Sequence, residues 1–403
     1  MKKIFYYLLI AVASVGFVSC SNNDPDPEPE PGPGPNKPDV PADFINSFFV
    51  LNRGSNAENG QKEGTLSYYT YSPLEGKLLS SALTSFKDVN DQWLGINPNA
   101  MAVYDKYLWV VINESNRIEV IDTDTRKSVK QISFNDQKFA YPRQIFIDAD
   151  KAYITFSGDA AGQDAGGYIA QYDCKTYEML QYLPVGSTAN KPDGIVVVGE
   201  YIYCADNFGV KTDDSYENGN QVVRWLKNSD WMNKAESNLE SLPLKDGVTP
   251  TDIVTNGTEI FVRCSGIDGQ GIRKKPSMIY KINNYDTKPF CEGTLMKVDK
   301  NNLYVINAPE NGLQKNITYK CYSVVDNNLV SDLLEPGEGV DFPKSLAVDD
   351  VTGDIIIGSA TMVNGYESKT ANGYFKLYSS KGKFILKGET GIDPFDILFL
   401  PKK

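Results

Sequence analysis

Histidine is missing from all 403 residues of the sequence. Without an imidazole the chain lacks the usual general base, the usual zinc or copper ligand and the partner that activates a serine or cysteine nucleophile. Cysteine is scarce as well. Apart from Cys20 there are five, an odd number with no C-x-x-C pair, so they cannot all form disulfides. These absences argue against nucleophilic enzymes and transition-metal sites.

The residues that are present repeat one pattern of about fifty positions: a residue-proline pair, a strand, a turn, an aromatic strand, a long polar loop and another strand. Successive opening prolines lie 44, 50, 58, 93 and 51 residues apart, at Pro98, Pro142, Pro192, Pro250, Pro343 and Pro394. The interval of 93 contains a copy without proline, which begins at Gly293 and Thr294. Four short strands at such a period are typical of a β-propeller blade.

The two ends of the repeat region complete each other. The first unit, FFVLNRG with GTLSYYTY and LLSSAL, has three strands and no opening proline, whereas the unit at Asp393-Pro394 has one strand. Joining them gives a composite blade and removes two exposed sheet edges. An open stack of β-repeats would instead need capping segments. The sequence therefore predicts an all-β fold, a seven-bladed β-propeller closed by pairing the C-terminal strand with the N-terminal blade.

The N-terminus is typical of an exported protein. Two lysines precede one short apolar run at residues 4–18, too short for a comfortable membrane span. The run ends in VGFVSC, which is similar to a bacterial lipobox, so we expect a lipoprotein signal peptide at 1–20 and lipidation of Cys20. Residues 21–44, rich in proline and acids, would form an extended tether of about 3.1 Å per residue. The propeller would occupy 45–403.

The net charge of the chain is −12 at pH 7. The first 43 residues contain six acids and three lysines, which leaves −9 for the remainder. An acidic domain is a poor binder of nucleic acids and of anionic membranes. We therefore expect no nucleic-acid partner and contact with the membrane only through the lipid anchor.

Paired carboxylates could still catalyse hydrolysis, as in glycosidases. A propeller sialidase would show turns of the S-x-D-x-G-x-x-W type, but SGDAAGQDAGG at 157–167 lacks the aromatic residue. The paired acids of DTDT at 122–125 suggest calcium, yet a calcium loop needs more oxygen ligands and a closing glutamate. A turn in which the carboxylate accepts backbone N–H groups explains them better. We predict that the protein is no enzyme and needs no cofactor or metal.

Several segments carry a family resemblance. PRQIFIDADKAYITF at 142–156 and NRIEVIDTDTRKSV at 116–129 resemble the YncE/YVTN-type propeller repeat. Across residues 48–400 the order of segments is similar to surface lipoproteins of Bacteroidetes, including the BtuG corrinoid-capture group, and the acidic tether resembles their export tails. The resemblance implies a seven-bladed protein in the outer membrane, facing the exterior, that captures a corrinoid such as vitamin B12 for a TonB-dependent outer-membrane transporter. The insertion near 207–247 departs from it. The tether's acids could also serve only to keep it solvated.

A ligand would sit at the mouth of the propeller channel. The loops that enter each inner strand and the loops between second and third strands share one face, and here they are the long ones. Our candidate ligand-binding residues follow the opening prolines or lie in those loops: Asn99, Arg143, Asp193, Asp252, Lys344, Tyr366 and Phe395. Mixed charges and aromatic rings suit a large polar ligand. Alternatively, these side chains pair with one another.

Two functional hypotheses follow from the sequence. The first is a surface protein that captures a nutrient and hands it to a transporter. The second is a non-catalytic scaffold for protein interactions at the cell envelope, with no small ligand, because a propeller by itself does not define a function.

Overall fold

The computed structural model describes residues 44–55, 63–134, 139–158, 167–185, 191–207, 209–212, 215–218, 220–231, 239–266, 275–308 and 316–401. Cys20, the signal peptide and residues 21–43 of the tether lie outside the described residues, so the predictions about them stay predictions. Within the described ranges, no helix has the length and apolar character needed to cross a membrane.

The described residues form seven four-stranded antiparallel sheets, each one a blade, together with two short hairpins and one short helix. Blade 1 holds β1 (Asn46–Asn52), β2 (Thr65–Ser72) and β3 (Lys77–Ala82), and the short helix α1 (Ser85–Asn90) follows. Blades 2 and 3 hold β4 (Pro98–Tyr104), β5 (Tyr107–Ile112), β6 (Arg117–Asp122), β7 (Ser128–Ser133), β8 (Pro142–Asp148), β9 (Lys151–Phe156), β10 (Tyr168–Asp173) and β11 (Met179–Pro184).

The next two blades include the predicted insertion. Blade 4 holds β12 (Pro192–Val198), β13 (Tyr201–Asp206), β16 (Gln221–Leu226) and β17 (Glu240–Pro243), and the separate hairpin of β14 (Gly209–Thr212) with β15 (Ser215–Asn218) lies between its second and third strands. Blade 5 holds β18 (Pro250–Thr255), β19 (Ile260–Cys264), β20 (Met278–Asn283) and β21 (Asp286–Glu292).

The last strands complete the ring. Blade 6, the copy without an opening proline, holds β22 (Leu295–Asp299), β23 (Asn302–Asn307), β24 (Thr318–Ser323) and β25 (Asn328–Asp332). Blade 7 holds β26 (Phe342–Val348), β27 (Ile355–Ala360), β30 (Tyr374–Tyr378) and β31 (Phe384–Glu389), with a hairpin of β28 (Met362–Val363) and β29 (Tyr366–Glu367) between its middle strands. The final strand, β32 (Pro394–Phe399), belongs to blade 1.

The ring closes as the sequence predicts. Strand β32 pairs antiparallel with β1, in a register that places Phe48 opposite Phe399 and Val50 opposite Ile397. The inner strands contact one another around the channel in the order β32, β4, β8, β12, β18, β22, β26 and back to β32. The prediction of a seven-bladed propeller with a composite closing blade is confirmed.

Burial follows from the stacking of blades on both sides of each sheet. The second strand of a blade is covered on both faces, so its sequence is a continuous apolar run; Ile355–Ala360 is buried at every position. The outer strand has no such cover, and Asn328–Asp332 is exposed at every position. Aromatic rings fill the contact between blades 7 and 1, where the centroid of Phe375 lies 5.2 Å from Phe48 and 4.9 Å from Tyr69. The hydrophobic core is thus a series of clusters between blades.

The acidic turns have the structural role predicted for them. The Oδ1 atom of Asp122 accepts hydrogen bonds from the backbone N–H of Thr125 at 2.9 Å and from its hydroxyl at 2.9 Å. Asp173 accepts the N–H groups of Lys175 and Thr176 at 2.8 and 3.0 Å. Because these backbone donors favour the charged carboxylate, they and the Lys106 ammonium lower the pKa of Asp122 to about 2.

The five cysteines outside the signal peptide are free, and four of them are buried. Burial raises the pKa of the Cys264 thiol to about 12, so it behaves as a small hydrophobic group. The sequence suggests that Cys204 and Cys264 occupy matching positions in neighbouring blades, and this is wrong by two residues. Cys204 pairs with Ile195, whereas Cys264 pairs with the opening Pro250. Both still face the preceding blade, since a shift of two keeps a side chain on the same face.

A charged channel mouth as the candidate ligand site

A β-bulge follows the opening proline in six of the seven inner strands. In blade 2, Pro98 pairs with Ile112 and Ala100 with Val111, which leaves Asn99 as the extra residue. The other bulges hold Arg143 with Gln144, Asp193 with Gly194, Thr251, Lys344 and Phe395. A bulge releases its residue from the pleat and redirects the side chain. The same β-bulge therefore positions five of the seven predicted site residues.

In four blades the residue before the proline also has an unusual backbone conformation. Asn97, Tyr141, Thr249 and Asp393 have φ values of 54°, 56°, 58° and 55°, in the left-handed region that residues other than glycine seldom adopt. Their carbonyls accept a backbone hydrogen bond from the end of the neighbouring strand, as in Asn113 N–H to Asn97 at 3.1 Å and Ser265 N–H to Thr249 at 2.9 Å. Strained backbone persists only where its surroundings hold it in place. The mouth is thus a rigid frame.

Four side chains form a hydrogen-bonded row across blades 1 to 4. The Nη2 atom of Arg53 donates to Asn99 Oδ1 at 2.7 Å, and Asn99 Nδ2 donates to the carbonyl of Arg143 at 2.6 Å. The Arg143 guanidinium in turn donates two hydrogen bonds to the Asp193 carboxylate, from Nε to Oδ1 at 3.3 Å and from Nη2 to Oδ2 at 2.8 Å. The Asp193 side chain is only 5% exposed, while that of Arg143 is 32% exposed. Asn99 and Asp193 hold the row in place, and Arg143 offers its outer edge to solvent.

Arg53 is a residue of this site that the sequence analysis missed. Its guanidinium carbon lies 3.1 Å from the centroid of the Phe395 ring, a cation–π contact. Burial lowers the pKa of Arg53 to about 10, against the opposing pull of Asp393. The composite blade holds the signal that could have found it. Because Asn52 pairs with Pro394, the residue after Asn52 must lie beside the opener of β32.

Lys344 lies in blade 7, on the other side of blade 1 from Asn99 and Arg143. Its ammonium lies 2.5 Å from a carboxylate oxygen of Glu367 and 4.0 Å from one of Asp393. Glu367 belongs to the hairpin of β28 and β29, whose Asn364-Gly365 turn has positive φ at both residues, as short β-hairpin turns require. The lysine therefore ties this hairpin to the inner strand of its own blade.

Tyr366 lies beside Glu367 on that hairpin and is 66% exposed. No ring contact joins it to Phe395 within the described part of the chain. The predicted pair of packing residues is thus divided: Phe395 lies in the mouth under Arg53, and Tyr366 projects from a hairpin. Met362 and Val363 share the hairpin and are 38% and 46% exposed.

Asp252 lies one residue beyond its bulge and pairs with Arg263 on the neighbouring strand. It is one of two carboxylates near the channel that interact electrostatically. Burial raises the pKa of Asp252, an effect that Arg263 and Lys297 oppose and Asp193 reinforces. Asp396 on β32 accepts the N–H of Met101 at 3.0 Å, and its pKa is raised to about 6 by burial first, with Asp252 adding to the effect. Carboxylates from opposite sides of the ring thus act on each other.

The alternative of mutual pairing holds for two of the predicted residues, because the side chains of Arg143 and Asp193 bond to each other. The partners of Asn99 and Lys344 are Arg53 and Glu367, which the sequence did not predict. Asn99, Arg143, Asp193 and Lys344 all have a side-chain partner in the mouth. Arg143 and Lys344 keep exposed surface, so each could meet a ligand without leaving its partner. Within the described residues, no three Cys, Asp or Glu side chains converge as a metal would require, and the prediction about metals stays a prediction.

Comparisons with known proteins agree on the fold. No protein-family model matches the chain, and no curated protein matches its sequence. Among solved structures, a hypothetical selenium-binding protein from Sulfolobus tokodaii is similar, with a TM-score of 0.61 at 13% identity, over 88% of this chain and 93% of that one. A functionally unknown protein from Desulfotomaculum acetoxidans gives a TM-score of 0.53 at 13% identity, over 88% and 98%.

A third similar structure is a Bacteroides fragilis protein provisionally named a 6-phosphogluconolactonase. Its TM-score is 0.55 at 11% identity, and the likeness covers 91% of this chain and all of that one. Identities this low show a shared β-propeller fold and nothing about chemistry. The expectation that the protein is no enzyme and the resemblance to the YncE and BtuG proteins both stay predictions.

Proposed function

We propose that this propeller binds a large polar nutrient of the corrinoid class at its channel mouth. The observation that carries the proposal is the frame of bulges, which holds two partly exposed cations, Arg143 in blade 3 and Lys344 in blade 7, with the Phe395 ring of blade 1 between those blades. A corrin presents amide side chains around a broad ring, and charged hydrogen-bond donors with an aromatic contact suit such a rim. The family resemblance points to the same ligand.

The proposal extends to location and partner. Cys20 would carry the lipid, the proline-rich tether would hold the propeller away from the outer membrane on the outside of the cell, and the captured ligand would pass to a TonB-dependent transporter. The lipobox-like segment and the proline-rich tail support the anchor. The protein has no histidine, so it would recognise a corrinoid through its edges and leave the cobalt without an imidazole from the protein.

Isothermal titration of the full chain with cobalamin and with cobinamide tests the ligand. We expect saturable binding, weakened about tenfold to a hundredfold by Arg143→Ala or Lys344→Ala, since a hydrogen bond to a charged group contributes about 1.5–3 kcal/mol. Lys320→Ala, which removes an ion pair on the outer strands of blade 6, is the matched control and should bind as the native protein does.

Two results would count against the proposal, each at a different level. Absence of heat with both compounds would reject the corrinoid ligand and leave the non-catalytic scaffold as the alternative. Binding that both mouth variants leave unchanged would keep the ligand and reject the site. Separately, a Cys20→Ala protein that still fractionated with the outer membrane would reject the lipid anchor.

A further inference from the structure

A groove of about 770 Å³ opens on the face opposite the channel mouth, between blades 3 and 4. Its walls come from the short β8–β9 and β12–β13 turns and from the beginning of the connection after β16. Because these turns are short, loop length in the sequence gives no sign of the groove. The volume falls within the range of pockets that hold small molecules.

The floor of the groove is a polar ladder across three strands of blade 3. Tyr153, Gln171 and Gln181 are direct cross-strand partners. Gln181 Nε2 donates to Gln171 Oε1 at 3.1 Å, and Gln171 Nε2 donates to the Tyr153 hydroxyl at 3.0 Å. Tyr153 and Gln171 are buried, so the ladder is fixed in place, and only Gln181 at its end has substantial exposure.

Blades 4 and 5 carry ladders in the same register, and the next blade covers each of them. In blade 4 the central residue is Arg224, between Tyr203 and Glu240. A turn of blade 5 covers it: the Asn284 carbonyl accepts from the Arg224 guanidinium at 3.4 Å, and the Tyr285 ring lies 4.2 Å from it.

The corresponding position of blade 5 is Lys281, between Phe261 and Lys288. There a turn of blade 6 supplies the cover, because Lys281 Nζ donates to the Val324 carbonyl at 2.6 Å and to Asn327 Oδ1 at 2.7 Å. Two successive blades thus fill this position with groups of the neighbouring blade.

Blade 3 differs in the contacts made by residues 227–231, the described beginning of the blade 4 connection. Lys227 Nζ reaches Asp148 Oδ2 at 3.0 Å, Asn228 Nδ2 donates to Glu200 Oε2 at 3.0 Å, and Trp231 packs beneath Tyr153 with ring centroids 6.2 Å apart. Among the described residues, these contacts leave the outer end of the glutamine ladder uncovered. In the part of the chain that the structure describes, the position that a neighbouring turn fills in blades 4 and 5 is open in blade 3, above a prearranged row of amides.

We propose that this groove binds a neutral saccharide. The two lysines that line it already have carboxylate partners, Lys227 with Asp148 and Lys151 with Asp150, so they offer no free cation to an anionic ligand. The amides and carboxylates of the groove can still make further hydrogen bonds, since a glutamine or asparagine amide has two donors and two acceptor lone pairs. A hydroxyl both donates and accepts, so a polyhydroxylated ligand can satisfy these groups together.

Titration of the full chain with neutral trisaccharides of glucose, xylose, mannose and N-acetylglucosamine tests this, read by calorimetry and by tryptophan fluorescence. We expect one of them to bind saturably and to change the fluorescence, because Trp231 and Trp225 pack together beneath Tyr153 at the groove floor. Gln181→Ala should weaken binding at least tenfold. Lys288→Ala, the same ladder position in blade 5, should leave binding unchanged.

Asn228→Ala, on an exposed turn, is a second variant that does not disturb the ladder, and a melting curve checks that each variant folds. Arg143→Ala should leave saccharide binding intact, so this test is independent of the corrinoid proposal. The inference is overturned if no trisaccharide binds, if binding survives both Gln181→Ala and Asn228→Ala, or if a trilysine peptide occupies the groove in place of a sugar.

Discussion

Removal of the closing strand should cost the propeller most of its stability. In a chain that ends at Ile392, β1 loses its partner β32 and blade 1 gains an open edge facing the channel. The loss includes the Ser345 hydroxyl bond to the Pro394 carbonyl at 2.7 Å and the bond from Met101 N–H to Asp396 at 3.0 Å. At about 1 kcal/mol for each net hydrogen bond, with the ladder to β1 as well, the loss exceeds about 5 kcal/mol, which is comparable to the whole stability of many domains.

A single substitution measures the same contact in graded form. Ile397 is 2% exposed and packs with Ala347, Ile356 and Phe375, so Ile397→Ala should cost about 2–4 kcal/mol, the usual range for a buried large-to-small change. Ile45, directly before β1, is 56% exposed, and Ile45→Ala removes the same atoms as a control. That control should change stability by less than about 0.5 kcal/mol.

Urea denaturation followed by circular dichroism gives both free energies. The truncated chain should be unfolded, or should melt far below the native protein. A truncated chain with the native melting temperature would refute the composite blade, and so would an Ile397→Ala cost no larger than that of Ile45→Ala.

Two further predictions concern the first two strands of blade 4, β12 and β13. Burial raises the pKa of Asp206 to about 6, so its contribution to the free energy of unfolding is largest below pH 4 and falls as the pH rises through 6. Relative to the native protein, Asp206→Asn should therefore gain on the order of 2–3 kcal/mol of stability between pH 4 and pH 7 in paired urea titrations. A stability difference that does not change with pH would contradict this. Gly194→Ala should destabilise the protein by about 1–3 kcal/mol or more in the same assay, because the alanine Cβ would lie 2.7 Å from the backbone nitrogen of Ile253. A neutral effect would show that β12 and β18 can separate.

The fold could be predicted from the sequence because it depends on local sequence patterns. Apolar runs of strand length, prolines at strand starts and acidic turns each act within one unit, and their repetition along the chain makes them recognisable. Even the composite blade followed, because the units at Phe48 and Pro394 each lack what the other has. The residues after the opening prolines were likewise placed at the mouth by their position in the repeat.

Only the tertiary structure decided what those side chains do. Arg53 and Phe395 lie 342 positions apart in the chain, and nothing local to either predicts their stacking at 3.1 Å. The pairing of Arg143 with Asp193 depends on the angle between two blades. The groove above Gln181 lies where Lys227, at the beginning of the blade 4 connection, bonds to Asp148 of blade 3. A repeat specifies each blade, but the contacts between blades depend on how neighbouring turns meet in space, and those contacts shape both candidate sites.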